Sequence, residues 1–233
     1  MRRRGLLKVA LRFTGAALAA TLLPGARLPG AAAQACRVFP PDGEVDFMAL
    51  RQGRVVGRHR IRFSRAGGRF VVRSDVEIET GPPGARRFRF VHHAEEVWVD
   101  GWLHAVVSDT EDDGRRYRLR AERRDGIFQG SVNGLAFTVS GYIIPSSLWH
   151  RDTPASETLF DTVDGMVKVG RPRLVGRERV PVGGRPVEAK HYALRGQIRR
   201  DLWYDADCNL VRVAWRARDG SEIILEPRYT KGR

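Results

Sequence analysis

Apolar and polar residues alternate along most of the chain after residue 43. In FVVRSDVEIE, residues 70–79, the even positions carry Phe, Val, Ser, Val and Ile, while most odd positions are charged. VRVAWRA, residues 211–217, shows the same alternation, with apolar residues at every odd position. A period of two residues places successive side chains on opposite faces of a β-strand. The pattern therefore predicts strands with one apolar face and one polar face.

Glycine-containing turn sequences separate these segments about every ten residues. They include Asp-Gly at 100–101, 125–126 and 219–220, Asn-Gly at 133–134 and Gly-Gly at 183–184. Two-residue loops of this kind join neighbouring antiparallel strands. We therefore predict an all-β, mainly antiparallel fold with twelve to fourteen strands. The strands would form a single meandering sheet that is curled into a barrel or a half-open barrel.

One segment, IIPSSLWHRDTPASETLFDTVDG at residues 143–165, breaks this alternation. Thr153 can cap a short helix with Pro154 at its first position, and we predict that this helix runs to about Asp161. A single helix within a run of strands usually covers or plugs the sheet. We therefore predict a lid-like insertion at 143–165 within one antiparallel β domain, residues 36–233.

The first 35 residues have the composition of an export signal. A basic start is followed by an apolar stretch, residues 13–23, that is too short to span a bilayer, and then by Ala33-Gln34-Ala35. We predict a signal peptide at 1–35 that is cleaved after Ala35, and a periplasmic location. The sequence RRGLLK at 3–8 resembles the twin-arginine consensus, and ordinary secretion is the alternative.

The charge of the chain changes once this segment is set aside. The whole sequence has a net charge of +14, and the first 35 residues hold six Lys or Arg and no acid, which leaves +8. The remaining Arg residues alternate with apolar ones, as on a solvated strand face, so we expect no nucleic-acid partner. We expect a monomer, and peripheral association with the cell envelope stays open.

Cys36 and Cys208 are the only cysteines. In an oxidising compartment two lone cysteines most simply pair, so we predict a Cys36–Cys208 disulfide. One alternative is a lipid on Cys36, which would be the first residue after cleavage, although Ala33-Gln34-Ala35 fits a lipidation signal poorly. The other alternative is two free thiols.

The segment HHAEEVWVDGWLHAVVSDTEDDG, residues 92–114, is rich in His and carboxylates. With Asp100-Gly101 as a two-residue loop, the predicted cross-strand pairs are Trp98–Leu103, Glu96–Ala105 and His92–Asp109. The even-numbered residues from 88 to 98 then share the apolar face with Leu103, Ala105 and Val107, and the odd-numbered residues lie on an Arg-rich outer face.

Three residues on that outer face, His93, Glu95 and His104, are close enough to suggest a metal site. A lasting zinc site needs buried and oriented ligands, which an exposed face does not supply. We therefore predict a solvated polar face, with no metal and no other cofactor.

The insertion contains the residue types of a catalytic triad, Ser146 or Ser147 with His150 and Asp152. Triads assemble from separate loops, so their presence in one short segment is weak support for catalysis. We assign no catalytic residue. An envelope enzyme, hydrolase-like, that uses Glu96 or the Ser147/His150 region stays open as an alternative.

Several short motifs resemble a family of exported bacterial proteins known only as a domain of unknown function. The motifs are Glu96-x-Trp98-x-Asp100-Gly101-x-Leu103, Thr110-x-Asp112-Asp113-Gly114, Ser147-x-Trp149 and Leu202-Trp203-Tyr204-Asp205. The resemblance spans most of residues 43–227, and it implies no activity, so no catalytic residue carries over. More distantly, the chain is similar to half-open periplasmic lipoprotein carriers, which hold acyl chains between sheet and helix.

These observations lead to a functional prediction: a periplasmic, non-enzymatic binding or carrier protein for an apolar or lipid-like ligand. Small residues at candidate inward positions favour a cavity over a filled interior; they are Ala94, Ala105, Ala121, Ala136 and Ala214. A structural β-protein with a filled core is a further alternative.

The predicted cleft is bordered by Phe90, Glu96, Trp98 and Trp149. Because Glu96 is expected on the apolar face, where an unpaired charge is costly, we predict that it lies near a polar head group of the ligand.

Overall fold

The computed structural model describes residues 36–37, 41–81, 88–217 and 219–228. The predicted signal peptide, residues 1–35, lies outside the described residues. The described residues form fifteen strands and one 3-10 turn, Thr153–Ala155. The strands are β1 (Gly43–Arg51), β2 (Arg54–Ala66), β3 (Arg69–Thr80), β4 (Phe88–Val99), β5 (Trp102–Asp112), β6 (Arg115–Arg124), β7 (Ile127–Val132), β8 (Leu135–Val139), β9 (Thr158–Phe160), β10 (Val167–Val169), β11 (Pro172–Val182), β12 (Arg185–Arg195), β13 (Arg199–Tyr204), β14 (Leu210–Arg216) and β15 (Glu222–Pro227).

Thirteen of these strands form one antiparallel sheet. Their order is β11-β12-β13-β14-β15-β1-β2-β3-β4-β5-β6-β7-β8. The sheet thus consists of two meanders, β11–β15 and β1–β8, which are joined by the pairing of β15 with β1. β8 and β11 lie at the two edges and do not pair with each other within the described residues, so the sheet is not closed. The predicted all-β, antiparallel and half-open architecture is confirmed.

The inner face of the sheet carries the main core. Alternate residues of β2, β3 and β4 point inward, as the period-two pattern predicts, and examples with almost no exposure are Ile61, Val72 and Trp98. The outer face of the C-terminal strands carries a second, smaller core, formed by Val180, Ala189, Trp203, Val211 and Ala214.

Three of the five small residues predicted to face inward do not do so. Ala214 belongs to the outer core, Ala136 is exposed on the edge strand β8, and Ala105 pairs with Val97 on the outer face. Ala94 and Ala121 are buried on the inner face.

The insertion between β8 and β11 packs against the inner face, where Ile143, Ile144 and Phe160 are buried. The helix predicted from Pro154 to about Asp161 is wrong beyond its first turn. Only Thr153–Ala155 is helical, and Asp152 rather than Thr153 is the N-cap residue. Ser156 is extended, and Thr158–Phe160 becomes β9, because this β-branched and aromatic sequence favours a strand that pairs with β10.

The hairpin between β4 and β5 has the predicted loop but a different register. Asp100 and Gly101 both have positive φ, as this two-residue turn requires, and Trp98 faces Leu103. The register then shifts, so that Val97 faces Ala105, Glu96 faces Val106 and His92 faces Thr110. The predicted pairs Glu96–Ala105 and His92–Asp109 are therefore wrong, because a β-bulge inserts one residue after Leu103.

Candidate functional site

A cavity of about 600 Å³ lies between the inner face of the sheet and the insertion. Its walls come from β2–β4, β14 and β15 on one side and from residues 146–148 and 161–164 on the other. Most of the wall is apolar, and it includes Val76, Ile78, Phe90, Val213, Trp215 and Leu225. The volume falls within the range of small-molecule binding sites, about 300–1,000 Å³.

The cavity runs along the strands from one end of the sheet towards its middle. Four alternate residues of β3 line it, from Thr80 through Ile78 and Val76 to Ser74. Six residues of extended strand cover roughly 20 Å. Arg51 and Asp219, which form an ion pair, lie at the end where β1 meets the β14–β15 turn. We call this end of the cavity the mouth and the Ser74 end the inner end.

Two histidines, His59 and His92, contribute polar surface towards the inner end. His92 Nδ1 lies 2.7 Å from Thr110 Oγ1, and its Nε2 lies 3.3 Å from Thr162 Oγ1 on the insertion. Burial lowers the pKa of both histidines to about 4, so both are neutral at neutral pH. The inner end is therefore polar in places but carries no histidine charge.

Glu96 lies in a closed cluster beyond the inner end of the cavity. Its side chain is 1% exposed, and its Oε2 accepts hydrogen bonds from Trp98 Nε1 at 3.1 Å and Trp149 Nε1 at 3.0 Å. Glu96 Oε1 has no regular hydrogen bond within the described residues, although the Ser147 hydroxyl lies beside the carboxyl. Burial raises the pKa of Glu96, which favours the neutral acid.

Neighbouring contacts make the Glu96 cluster dense. The His150 ring stacks on Trp98 with centroids 4.8 Å apart, and the two tryptophan rings meet edge to face at 5.5 Å. Tyr204 Oη donates to the Leu148 carbonyl at 2.6 Å. The motifs that contain Trp98, Trp149 and Tyr204 thus meet in space, where they attach the insertion to the sheet.

The four predicted site residues therefore divide into two groups. Phe90 lines the cavity, whereas Glu96, Trp98 and Trp149 are almost fully buried and do not line it. Contact between these residues and a ligand stays a prediction. Both tryptophans donate to the Glu96 carboxyl, so Glu96 has polar partners within the protein itself.

Two of the three outer-face residues with metal-like spacing, His93 and Glu95, engage other partners. His93 Nδ1 lies 2.7 Å from Asp75 Oδ1, and Glu95 accepts from Arg73 Nε at 2.7 Å. In the part of the chain that the structure describes, no group of three or more His, Cys, Asp or Glu could hold a metal ion.

Within the described residues, Ser147 Oγ makes no regular hydrogen bond to His150, as a nucleophile would to its base. Ser147 lines the cavity, but its neighbouring acid is Glu96, whose burial favours the neutral form. His150 is fully buried and stacks on Trp98, and its Nδ1 accepts a hydrogen bond from the Asp152 amide at 3.1 Å. Burial lowers the pKa of His150 to about 4, which makes it a poor base at neutral pH.

Sequence reasoning missed the four Lys and Arg residues that line the cavity, Arg51, Lys168, Arg200 and Arg216. Lys168 Nζ bonds Asp161 and Asp164, each at 2.6 Å. Arg200 lies over the Trp215 ring, with its Cζ 5.0 Å from the centroid. In an Arg-rich chain its charge did not stand out, yet its position offered a signal: Arg200 precedes Leu202 by two residues and so shares its buried face.

The predicted disulfide is present. Cys36 and Cys208 are bonded, with Cα atoms 5.5 Å apart and a sequence separation of 172. Cys208 lies in the turn between β13 and β14, and Arg151 of the insertion donates to the Cys36 carbonyl. The bond therefore ties the start of the β domain to the sheet beside the insertion.

The open antiparallel sheet, with an insertion packed on its inner face, defines a β-barrel-like protein. It is similar to the crystal structure of a β-barrel-like protein of domain of unknown function DUF1849 from Brucella abortus. The two share 12% sequence identity and a TM-score of 0.56, over 79% of this chain and 94% of that one. At this identity the likeness concerns the fold alone.

The chain belongs to the family described as domain of unknown function DUF6134, which it matches over residues 47–228. This confirms the resemblance to a β-rich family of unknown function. Among proteins with curated descriptions, none matches the sequence. Within the described residues, no helix has the length and apolar character needed to cross a bilayer.

Proposed function

We propose that this protein is a periplasmic binding or carrier protein that holds an apolar, lipid-like ligand in its cavity. The observation that carries the proposal is the cavity of about 600 Å³ between the inner face and the insertion. A protein with a purely structural role would gain stability by filling this space, because empty apolar volume costs packing energy. A cavity of this size is therefore suited to an occupant.

The shape and lining of the cavity favour a long and mainly apolar ligand. It extends roughly 20 Å along β3, and its walls are formed by aliphatic and aromatic side chains such as Ile78, Phe90 and Leu225. Charged residues such as Arg51 and Asp219 lie at the mouth. An amphipathic molecule with its chain inside and its polar end at the mouth matches this distribution.

Export is part of the proposal and rests on the first 35 residues of the sequence. A basic start, a short apolar stretch and Ala33-Gln34-Ala35 are the features that a signal peptidase substrate needs. The Cys36–Cys208 disulfide is compatible with an oxidising compartment outside the cytoplasm.

A matched pair of variants tests whether the cavity binds a ligand. Val76 on β3 faces the cavity, and Val71 on the same strand pairs with Val97 on the outer face. Val76→Trp should fill part of the cavity, whereas Val71→Trp adds the same bulk outside. We expect saturable binding of a fluorescent fatty acid by the wild type and by Val71→Trp, with binding weakened at least tenfold in Val76→Trp.

Two results would contradict the proposal. Either the wild type takes up no hydrophobic probe, or Val76→Trp binds the probe as well as Val71→Trp does. Melting curves of both variants show whether each one folds.

A further inference from the structure

Arg200 lines the cavity without an ion-pair partner among the described residues, as does Arg216, whose Nη1 donates to the Gly220 carbonyl at 3.1 Å; Arg200 alone of the two is covered by the Trp215 ring. Among the described residues, none of the Asp or Glu oxygens forms an ion pair with its guanidinium, and its hydrogen bond goes from Nη1 to the Arg199 carbonyl at 2.8 Å. By contrast, Lys168 binds two carboxylates, and Arg51 is paired with Asp219. Arg200 therefore presents a positive charge to the cavity.

The guanidinium of Arg200 is partly shielded from solvent but keeps its positive charge. Burial lowers its pKa to about 10, while the nearby Asp161 opposes this shift, so the side chain stays protonated at neutral pH. Trp215 covers the guanidinium with its ring, which stabilises the cation. A guanidinium has five N–H donors, and the half-buried Arg200 uses few of them within the protein, so a ligand can complete its contacts.

Arg200 lies towards the mouth of the cavity. The register of β13 on β14 pairs Asp201 with Ala214, which places Arg200 beside Trp215 near the end of β14. The turn that follows β14 leads to Asp219 at the mouth. If Arg200 holds the head group of a ligand, the inner part of the cavity, past Val76, stays available for an apolar chain.

We propose that Arg200 binds the anionic oxygen head group of an amphipathic ligand whose chain occupies the cavity, an inference that rests on the proposed function. Carboxylates and phosphate oxygens match the planar fork of a guanidinium with two parallel hydrogen bonds. The head group of a free fatty acid and the phosphate of a phospholipid both have this chemistry.

The other charges near Arg200 indicate the charge of the ligand. Asp161 and Asp164 line the same cavity and share Lys168. Together with Arg200, these three side chains have no net charge. A dianionic head group would be repelled by the two carboxylates. Arg200 therefore selects a head group with a single negative charge, such as a carboxylate or a phosphodiester.

The test is competition of three matched amphiphiles against a bound fluorescent probe: palmitate, hexadecanol and a single-chain phosphodiester lipid. We expect wild-type protein to bind at least one of the two anions about 10- to 100-fold more tightly than the alcohol, as a charged hydrogen bond allows. The two anions compared with each other distinguish a fatty acid from a phospholipid as the source. A ratio near one for both anions overturns the proposal without any variant.

Variants of Arg200 and of its neighbour Arg199 test whether Arg200 causes the preference for anionic amphiphiles. Arg200→Gln should lose the preference for anions and keep the affinity for hexadecanol, while Arg200→Lys should retain part of the preference. Arg199→Gln is the matched control, because this neighbour is exposed on the outer face of β13. An unchanged preference in Arg200→Gln, or an equal loss for all three amphiphiles, contradicts the proposal.

A failure of the proposed function is distinguishable from a failure of this inference. If the wild type binds neither the amphiphiles nor the probe, the cavity is not a lipid site, and both the proposed function and the role of Arg200 are wrong. If the wild type binds all three equally, the cavity function stands and the role of Arg200 alone is wrong.

Discussion

Trp149 Nε1 donates a 3.0 Å hydrogen bond to Glu96 Oε2, and this contact joins the insertion to the middle of the sheet. Trp98 Nε1, from the same strand as Glu96, donates to the same oxygen at 3.1 Å. Both tryptophans are almost fully buried, so one carboxyl group organises the packing of two large side chains. This contact closes off the interior beyond the inner end of the cavity.

The first prediction concerns the two replacements of Glu96 that separate its shape from its charge. Glu96→Gln keeps an oxygen acceptor for the indole donors, so we expect the free energy of unfolding to stay within about 1 kcal/mol of wild type at pH 5. Glu96→Ala removes the acceptor and leaves a cavity, so we expect a loss of about 2–5 kcal/mol. Denaturant titrations of both variants measure the difference.

The pH dependence of these variants has a definite sign. Because burial raises the pKa of Glu96 above its ordinary value of 4.5, folding must keep a proton that the unfolded chain releases. The wild type therefore loses stability relative to Glu96→Gln as pH rises above 4.5. A Gln variant that is as unstable as Glu96→Ala at every pH would contradict this account, because an oxygen acceptor alone would then not be enough to stabilise the cluster.

The second prediction is that acid destabilises the protein through its buried histidines, which are His150 and the two cavity histidines, His59 and His92. All three have a folded pKa of about 4, below the ordinary value of 6.5, so the unfolded state binds more protons between these values. Stability should fall as pH falls from 6.5 to 4, by up to roughly 3 kcal/mol for each histidine. Unfolding titrations at several pH values between 4 and 7 measure this slope.

His59→Gln should make that slope shallower, because the substituted side chain does not titrate. Phe47→Leu is a suitable control, since Phe47 packs against His59 with ring centroids 5.9 Å apart and carries no charge. It should lower stability at every pH and leave the slope unchanged. The interpretation fails if His59→Gln and Phe47→Leu have the same slope.

The third prediction concerns the Cys36–Cys208 disulfide. It closes a loop of 172 residues, and removing such a bond typically costs about 2–5 kcal/mol. We expect the Cys36→Ser/Cys208→Ser double variant to unfold at lower denaturant concentration than the wild type. Thiol titration of the denatured wild type should detect no free thiol before reduction and two after it. Two reactive thiols before reduction would exclude the bond.

The fourth prediction is that the chain is exported and processed. Cleavage after Ala35 should leave Cys36 as the first residue of the periplasmic protein. N-terminal sequencing of protein from separated cell fractions measures this directly. Protein that begins at Met1 and stays in the cytoplasmic fraction is the contrary result.

Much of the fold follows from the sequence because its two strongest signals are local. Alternation fixes which residues of a strand point inward, and turns such as Asp100-Gly101 fix where a hairpin reverses. The bulge after Leu103 was not predictable in this way. Nothing in the local sequence marks it, because inserting one residue keeps apolar side chains available for both faces of the strand.

The candidate site was predictable only in part. The inward direction of Glu96 and Trp98 followed from their spacing of two residues, but their partner Trp149 comes from a distant segment. Spacing alone does not distinguish a carboxyl that contacts a ligand from one that accepts hydrogen bonds from buried indoles. Arg200 was missed because its importance depends on its place in the cavity under the Trp215 ring and on its lacking an ion pair with a described carboxylate, which only the folded chain shows.

The insertion shows the limit of capping rules. Pro154 correctly indicated a helical start, although Asp152 rather than Thr153 is the N-cap residue, and the helix ends after one turn. The following Thr158–Phe160 pairs with β10, and Phe160 fills the core against Phe128. Burial of these side chains outweighs the intrinsic tendency of the segment to continue as a helix.

The most direct test of the central claim is mass spectrometry of molecules extracted from protein purified without denaturation from its own cells. We predict an amphipathic lipid with a single negative charge at close to one molecule per chain in the wild type and in Val71→Trp. The same lipid should be strongly depleted in Val76→Trp. Recovery of no lipid from the wild type, or of equal amounts from Val71→Trp and Val76→Trp, would contradict the account.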